Sequence, residues 1–183
     1  NDGMDENQLN TFNIPTTNLL AHAIWKKNYF GIYRANLLLE KIDEIDASDE
    51  FKTRVIAECK FLRAYFYWEL ARFFENVVLL TNTIAGPSEY SQPQASPEDV
   101  YNQIAADLVD AINDLPETLP TSELGRVTKW AAEGLLARVY LFYNGVYGSD
   151  MDANGTVINQ AKALEYLEDL IANSGHDLSE NYE

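Results

Sequence analysis

Side chains able to do chemistry are abundant in this sequence but poorly grouped. Its 29 Asp and Glu residues could supply the two carboxylates of a glycosidase, which must stand ~5–10 Å apart across the scissile bond. No pair is singled out by spacing, and clusters such as Glu40, Asp43, Glu44 and Asp46 read as solvated helix ends. His22 and His176 lie at opposite ends of the chain and cannot share one helix face, so each reads as a surface histidine. Cys59 is the single cysteine. It sits beside Glu58 with only Lys60 as a basic neighbour, a setting for a buried, unreactive thiol rather than a nucleophile. One cysteine also excludes an internal disulfide framework and a Cys-type zinc site. There is no phosphate-binding glycine loop, G-x-S-x-G elbow or H-E-x-x-H. The chain reads as a non-enzyme with no catalytic residue and no cofactor.

Two features point to binding instead. Asp150, Asp152 and Asn154 place oxygen ligands at positions 1, 3 and 5 of a calcium-loop opening, with Gly155 at 6. The twelfth position is Ala161 where a bidentate glutamate belongs, so an ordinary surface loop accounts better for these residues. The second feature is aromatic. Trp25, Tyr29, Tyr65, Tyr67, Trp68, Tyr101 and Trp130 fall on helical segments and read as core or hairpin packing. Tyr90, Tyr143 and Tyr147 fall in or beside irregular segments, where a tyrosine can stack on a sugar ring or a peptide, with Asn144 offering hydrogen bonds. These four are the candidate ligand-binding residues. The competing reading is that the tyrosines pack the loops onto the helices.

Charge narrows the partners. With 13 Lys and Arg, the formal net charge is −16, which repels nucleic-acid phosphates. No segment approaches the ~18 apolar residues of a membrane span, and the polar start at residues 1–6 has no signal-peptide pattern.

The elements that must carry these residues are helical. Residues 1–16 read as an N-terminal loop and 17–183 as one helical domain. Thr17 or Asn18 can cap a first long helix to about Ile45, with Trp25, Tyr29, Ile32, Asn36 and Leu39 on one stripe. Ser48 can cap a second, to about Phe74, and the short connection makes the two an antiparallel hairpin. Residues 75–95 are a long irregular crossing. Ser96-Pro97-Glu98-Asp99 then opens a third helix that Pro116 closes. Thr128 can cap a fourth to about Tyr143, and Asn159 a fifth to about Asn173. The pattern is all-α, two helical hairpins and the start of a third. Ala57-Glu58, Arg63 and Tyr65 recur 75 residues later as Ala132-Glu133, Arg138 and Tyr140, as in a diverged helical repeat. Ala131, Ala132, Gly134 and Ala137 suit close packing between repeats.

Several segments, in order, resemble the SusD/RagB family of outer-membrane nutrient-binding lipoproteins of Bacteroidetes. Trp25-x-x-x-Tyr29-x-Gly31-Ile32-x-Arg34-Ala35-Asn36 is similar to the family's first long helix. The most specific piece is Ala57-Glu58-x-x-Phe61-Leu62-Arg63-Ala64-Tyr65-x-Tyr67-x-x-Leu70-x-Arg72-Phe73-Phe74. Ser96-Pro97-x-x-Val100-Tyr101-x-x-Ile104-x-x-Asp107-Leu108 follows, then Gly125-Arg126-Val127-Thr128-Lys129-Trp130-Ala131-Ala132 and Leu135-Leu136-Ala137-Arg138-Val139-Tyr140-Leu141. Together they span about residues 20–175.

The resemblance implies tetratricopeptide-like helical hairpins with long irregular loops. It implies a lipid-anchored protein at the cell surface, its anchor outside this chain, that captures glycan or oligosaccharide for a SusC-like TonB-dependent transporter without catalysing. A peptide ligand, as in the RagB branch, a helical-repeat interaction scaffold, and a glycosidase are the alternatives. Family members are longer, so the chain resembles about their first half. Glu75-Asn76-Val77 stands where Gly-Asp-Val is usual. The motif residues Trp25, Asn36, Glu58, Arg63, Arg126, Trp130 and Arg138 are expected to be structural, with buried Asn36, Glu58 and Arg63 hydrogen-bonded across the hairpin.

Overall fold

The computed structural model describes residues 3–177. Six helices and one short hairpin make up its regular structure: α1 Met4–Asn10, α2 Leu19–Lys41, α3 Asp49–Phe74, α4 Pro97–Asp114, α5 Lys129–Tyr147, β1 Met151–Ala153, β2 Thr156–Ile158 and α6 Gln160–Asn173. The all-α, tetratricopeptide-like reading holds. Residues 1, 2 and 178–183, at the outer edges of the two expected domains, lie outside the described residues.

Helix starts follow local chemistry. Asn18 Oδ1 accepts from Ala21 N at 2.9 Å, Ser48 Oγ from Phe51 N at 3.3 Å and Asn159 Oδ1 from Lys162 N at 3.0 Å. Ser96 Oγ accepts from Asp99 N and donates to Asp99 Oδ2, so cap and first turn hold each other. Thr128 occupies the capping position of α5 but makes no side-chain cap bond. The helix start is tied instead by Lys129 N donating to Pro116 O at 3.0 Å.

Three boundaries differ from expectation. Residues 4–10, read as loop, form α1, a helix without a buried residue and hence without an apolar stripe. Asn18 secures it by donating to Asp5 O and Gln8 Oε1. α2 stops at Lys41 and a 3₁₀ turn covers Ile42–Glu44. α5 continues to Tyr147, because Gly145 is accommodated inside it and Gly148, at φ +67°, makes the left-handed cap.

Contacts run antiparallel along the stack. Trp25 meets Phe74, with ring centroids 5.1 Å apart, while Asn36 meets Arg63 at 2.8 Å, so α2 and α3 form the first hairpin. Gly31 lies between them, where a Cβ would overlap the Phe66 ring. α4 lies antiparallel on the other side of α3, with Lys60 on Asp110 and Arg63 on Asp107. α5 packs on α4 and α6 on α5. The core lies between α3, α4 and α5, where Tyr67, Leu70, Tyr101, Ile104, Leu108 and Leu136 are fully buried. The repeated alanines Ala57 and Ala132 both face it. The repeated arginines part company, since Arg63 is buried while exposed Arg138 stands 5.9 Å over the Trp68 ring.

A polar hub crosses this core. Arg63 donates through Nε and Nη2 to the two Asp107 oxygens, both at 2.7 Å, and through Nη1 to Asn36 Oδ1 at 2.8 Å and Thr81 O at 3.1 Å. Gln103 Nε2 adds a donor to Asp107 Oδ1. Burial opposes both charges. At Arg63 the Asp107 bonds outweigh it and lift the pKa above its ordinary value, whereas at Asp107 burial leaves the pKa raised despite Arg63. The doubly bonded fork is the geometry of an ionised pair. Asn36 Nδ2 continues the hub by donating to Leu80 O and Asn82 O, and the Tyr67 hydroxyl both donates to Leu80 O and accepts from Leu80 N. The crossing segment is thereby pinned across the first hairpin. Glu58 was expected to bond across that hairpin too, but it is only half-buried and pairs with Arg54 and Arg126 at the edge.

Two outcomes follow for stability. Arg63→Ala leaves the Asp107 carboxylate buried and unpaired, and is expected to cost ~3–5 kcal/mol in chemical denaturation; a loss below ~0.5 kcal/mol would show the pair to be solvated. Glu75, which ends α3, sits at φ +61°, ψ −81°, a conformation that penalises a Cβ. Glu75→Gly should therefore raise stability by ~1 kcal/mol, and a decrease would contradict strain at this position.

Candidate functional site

The spacing of aromatic residues on α2 creates an exposed apolar surface. Trp25, Tyr29 and Tyr33 recur every four residues, as do His22, Lys26 and Phe30, so two adjacent rows share one side of the helix. In the first row Trp25 and Tyr29 are anchored inward. Trp25 and Tyr29 pack at a tilt of 49° with centroids 4.8 Å apart, Trp25 meets Phe74 edge-on, and the Tyr29 hydroxyl donates to Val78 O at 2.8 Å. Burial pushes the Tyr29 pKa up to about 12, so it remains a neutral donor. Phe30 and Tyr33 are 52% and 49% exposed, and Lys26 Nζ lies 5.9 Å over the Phe30 ring.

Tyr90 completes this surface. The crossing segment brings it, 71% exposed, to the rim of an open concavity of about 760 Å³ that α2 lines with His22, Trp25, Lys26, Tyr29, Phe30 and Tyr33. The loop around it has its own ties. Ala85 N donates to Glu89 Oε2, Gln92 Nε2 to Glu89 O, and Thr83 N and Oγ1 to the Glu40 carboxylate. Of the four candidate ligand residues, Tyr90 alone joins this aromatic group. Sequence reasoning missed Phe30 and Lys26, which stand on the row beside the Trp25 and Tyr29 stripe, and Tyr33, which continues that stripe but turns outward.

The other three candidates lie elsewhere. Tyr143 and Tyr147 are helical rather than loop-borne, since α5 extends through both. Tyr143 is 3% exposed, with its ring 4.7 Å from Tyr101 and 5.0 Å from Tyr147. It fastens α5 to α4 and is not available for stacking on a ligand. Asn144 donates to Ser149 O at 3.2 Å and lines a separate polar concavity with Tyr140, Asp150, Asn159 and Gln160.

Asp150, Asp152 and Asn154 are not wrapped into a calcium-type loop. Their segment is a β-hairpin, Met151 pairing with Ile158 and Ala153 with Thr156, and Asn154 and Gly155 turn it at φ +53° and +93°. Asp152 Oδ1 accepts from Gly155 N, and Asp150 Oδ1 accepts from the Tyr140 hydroxyl at 3.1 Å. Among the motif residues, Trp130 is buried beneath Lys129, whose Nζ lies 4.7 Å from the ring centroid. Arg126 reaches Glu58 through Nε at 2.8 Å and also through Nη2.

An antiparallel series of helical hairpins, held by a buried arginine and carrying a loop-and-helix aromatic surface, defines a tetratricopeptide-like helical scaffold. The chain belongs to the SusD-like family: the family model described as "Starch-binding associating with outer membrane" matches residues 3–141. A SusD-like protein of Bacteroides ovatus is 31% identical over 96% of this chain and 32% of its own length. A laminarin-binding SusD-like protein superposes with a TM-score of 0.76 at 32% identity, over 87% of this chain and 33% of that one. A structure determined with xylogluco-oligosaccharide gives 0.79 at 30% identity, over 94% and 33%. The chain thus spans about a third of the length of these relatives, less than the half expected from its motifs.

Stability separates the two kinds of tyrosine. Tyr143→Ala should cost ~3–5 kcal/mol by opening a core cavity, whereas Tyr90→Ala should fall within ~0.5 kcal/mol. Equal effects in thermal unfolding would contradict the placement of one of them.

Proposed function

We propose that this chain is part of a cell-surface glycan-capture protein, and that the aromatic surface of α2 with Tyr90 is where the sugar lies. The observation that carries the reading is the gathering of Phe30, Tyr33 and Tyr90, all strongly exposed, around one open concavity with Trp25 and Tyr29 as its fixed floor. Pyranose rings present apolar C–H faces that stack on such rings, and the Lys26 and His22 side chains at the edge can bond hydroxyls. The two solved relatives named for laminarin and determined with xylogluco-oligosaccharide support a carbohydrate ligand.

Capture in this scheme is binding without chemistry. The chain, anchored at the outer membrane through a lipid outside its own sequence, holds an oligosaccharide and passes it to a SusC-like TonB-dependent transporter. The family description, with its association to the outer membrane, supports that location. Sugars bury little apolar area and must exchange bound water, so affinity per site is weak and retention relies on repeated units along a chain.

Affinity electrophoresis through gels containing laminarin, xyloglucan or starch tests this. Retardation by one polysaccharide is expected, and Tyr33→Ala with Tyr90→Ala should weaken it by ~2 kcal/mol, roughly thirtyfold in Kd. Retardation unchanged in the double variant would remove the aromatic surface from the ligand site. Migration unaffected by every polysaccharide would count against glycan capture.

A further inference from the structure

A further concavity, of about 590 Å³, opens between the end of α4, the start of α5 and α6. Its unusual feature is Glu133. This side chain is 1% exposed and lines the concavity, and its Oε2 accepts no hydrogen bond from a donor among the described residues, its neighbour being the Asp169 carboxylate, with which it can only share a proton. A buried carboxylate oxygen left unpaired is costly, and it marks a place where a donor is wanted.

The neighbours say what kind of donor. Lys129 Nζ lies 3.7 Å from Glu133 Oε1, but its close partner is Asp169 Oδ2 at 2.8 Å, with Glu117 Oε1 at 3.6 Å. Glu165 is also on the wall and is paired with Lys162 at 2.7 Å. Four carboxylates therefore face two ammonium groups, and the site is short of positive charge. Among the described residues no group of acids is arranged to hold a metal ion. The Lys129 ammonium already occupies the space between the carboxylates, which disfavours a second compact cation. A planar, weakly hydrated guanidinium has donors enough for Glu133 Oε2 and a rim carboxylate together. Ile112, Leu115 and the Tyr166 ring supply an apolar wall for its methylene stem.

We propose that this pocket binds an alkylguanidinium group, such as the end of an arginine side chain, with the Glu133 carboxylate taking the charged head. A proton is its competitor. Burial raises the Glu133 pKa to about 7, against the pull of Lys129, and Asp169 is close enough to share the proton. The titratable groups around Glu133 are Lys129 of its own helix, Glu117 of the α4–α5 connection, and Glu165, Tyr166 and Asp169 of α6, with Lys162 held on Glu165. Binding therefore requires ionised Glu133.

The probe is N-acetyl-arginine amide, titrated into the purified protein and followed by NMR chemical shifts. Saturable binding at pH 8 is expected, weakening about tenfold at pH 6, where roughly a tenth as much Glu133 is ionised. Glu133→Gln, nearly isosteric, should abolish binding at pH 8, while N-acetyl-norleucine amide, which lacks the charge, should not bind the wild type. The same variant gives a readout free of ligand. A carboxyl whose folded pKa lies above its unfolded value stabilises below about pH 4.5, and that stability is lost as pH rises through 7. The wild type should lose melting temperature over that window by more than Glu133→Gln does. No saturable shifts in the wild type, equal binding by Glu133→Gln, or affinity independent of pH would each overturn the proposal.

Discussion

Everything that makes this scaffold more than a stack of helices passes through the Arg63 guanidinium. Its fork spends two donors on Asp107 of α4 and two more on Asn36 of α2 and the Thr81 carbonyl. One side chain thus ties together three helices and the crossing segment. Such a group is costly to bury and only tolerable when every donor is met. The sequence around it is constrained accordingly. Asn36 is a buried amide on an otherwise apolar stripe, Asp107 the one acid on the buried face of α4, and Tyr67 a buried phenol whose hydroxyl completes the Leu80 backbone.

The functional consequence lies one step further along the chain. Residues 77–83 run across the first hairpin as irregular backbone, and each carbonyl that faces inward needs a donor. Tyr29 serves Val78, Asn36 and Tyr67 serve Leu80, Arg63 serves Thr81, and Asn36 serves Asn82. With these bonds made, the chain leaves the hairpin at Thr83, where Glu40 receives its amide and hydroxyl. Tyr90 is delivered to the rim of the α2 aromatic surface from there. Ligand chemistry and core polarity are thus linked: the buried hub sets the path of the loop, and the loop completes the proposed sugar platform.

Much of the fold was legible in the residues. Ser96-Pro97-Glu98-Asp99 announced its helix through local capping chemistry, and Val100, Ile104, Leu108 and Ala111 of α4 form its buried face at helical spacing; α3 instead buries Tyr67, Trp68 and Leu70 and leaves the apolar Phe51, Leu62 and Phe73 exposed. That Arg63 is buried could be read from its surroundings, but its partner could not: Asp107 is 44 residues away, with nothing local to mark it. Helix α1 has no buried residue and so gave no periodic signal. Tyr143 and Tyr147 were read as beside a loop because Gly145 and Gly148 follow so closely, yet only Gly148 ends the helix. The Asn154-Gly155 pair is a hairpin signal that the flanking acids masked as a ligand loop. Of the candidate site only Tyr90 was legible; the rest was not, because local sequence cannot show that a loop tyrosine and an α2 face more than 55 residues earlier line one concavity.

Amide hydrogen exchange at Leu80 and Thr83, in the wild type and in Asn36→Leu, bears most directly on the claim that the hub holds the loop. These amides donate to the Tyr67 hydroxyl and the Glu40 carboxylate, not to a helix ladder. Their protection should fall sharply in the variant while the central amides of α3 and α4 stay protected. Unchanged protection at Leu80 and Thr83 would contradict the account, because the crossing segment would then hold its course without the buried polar network.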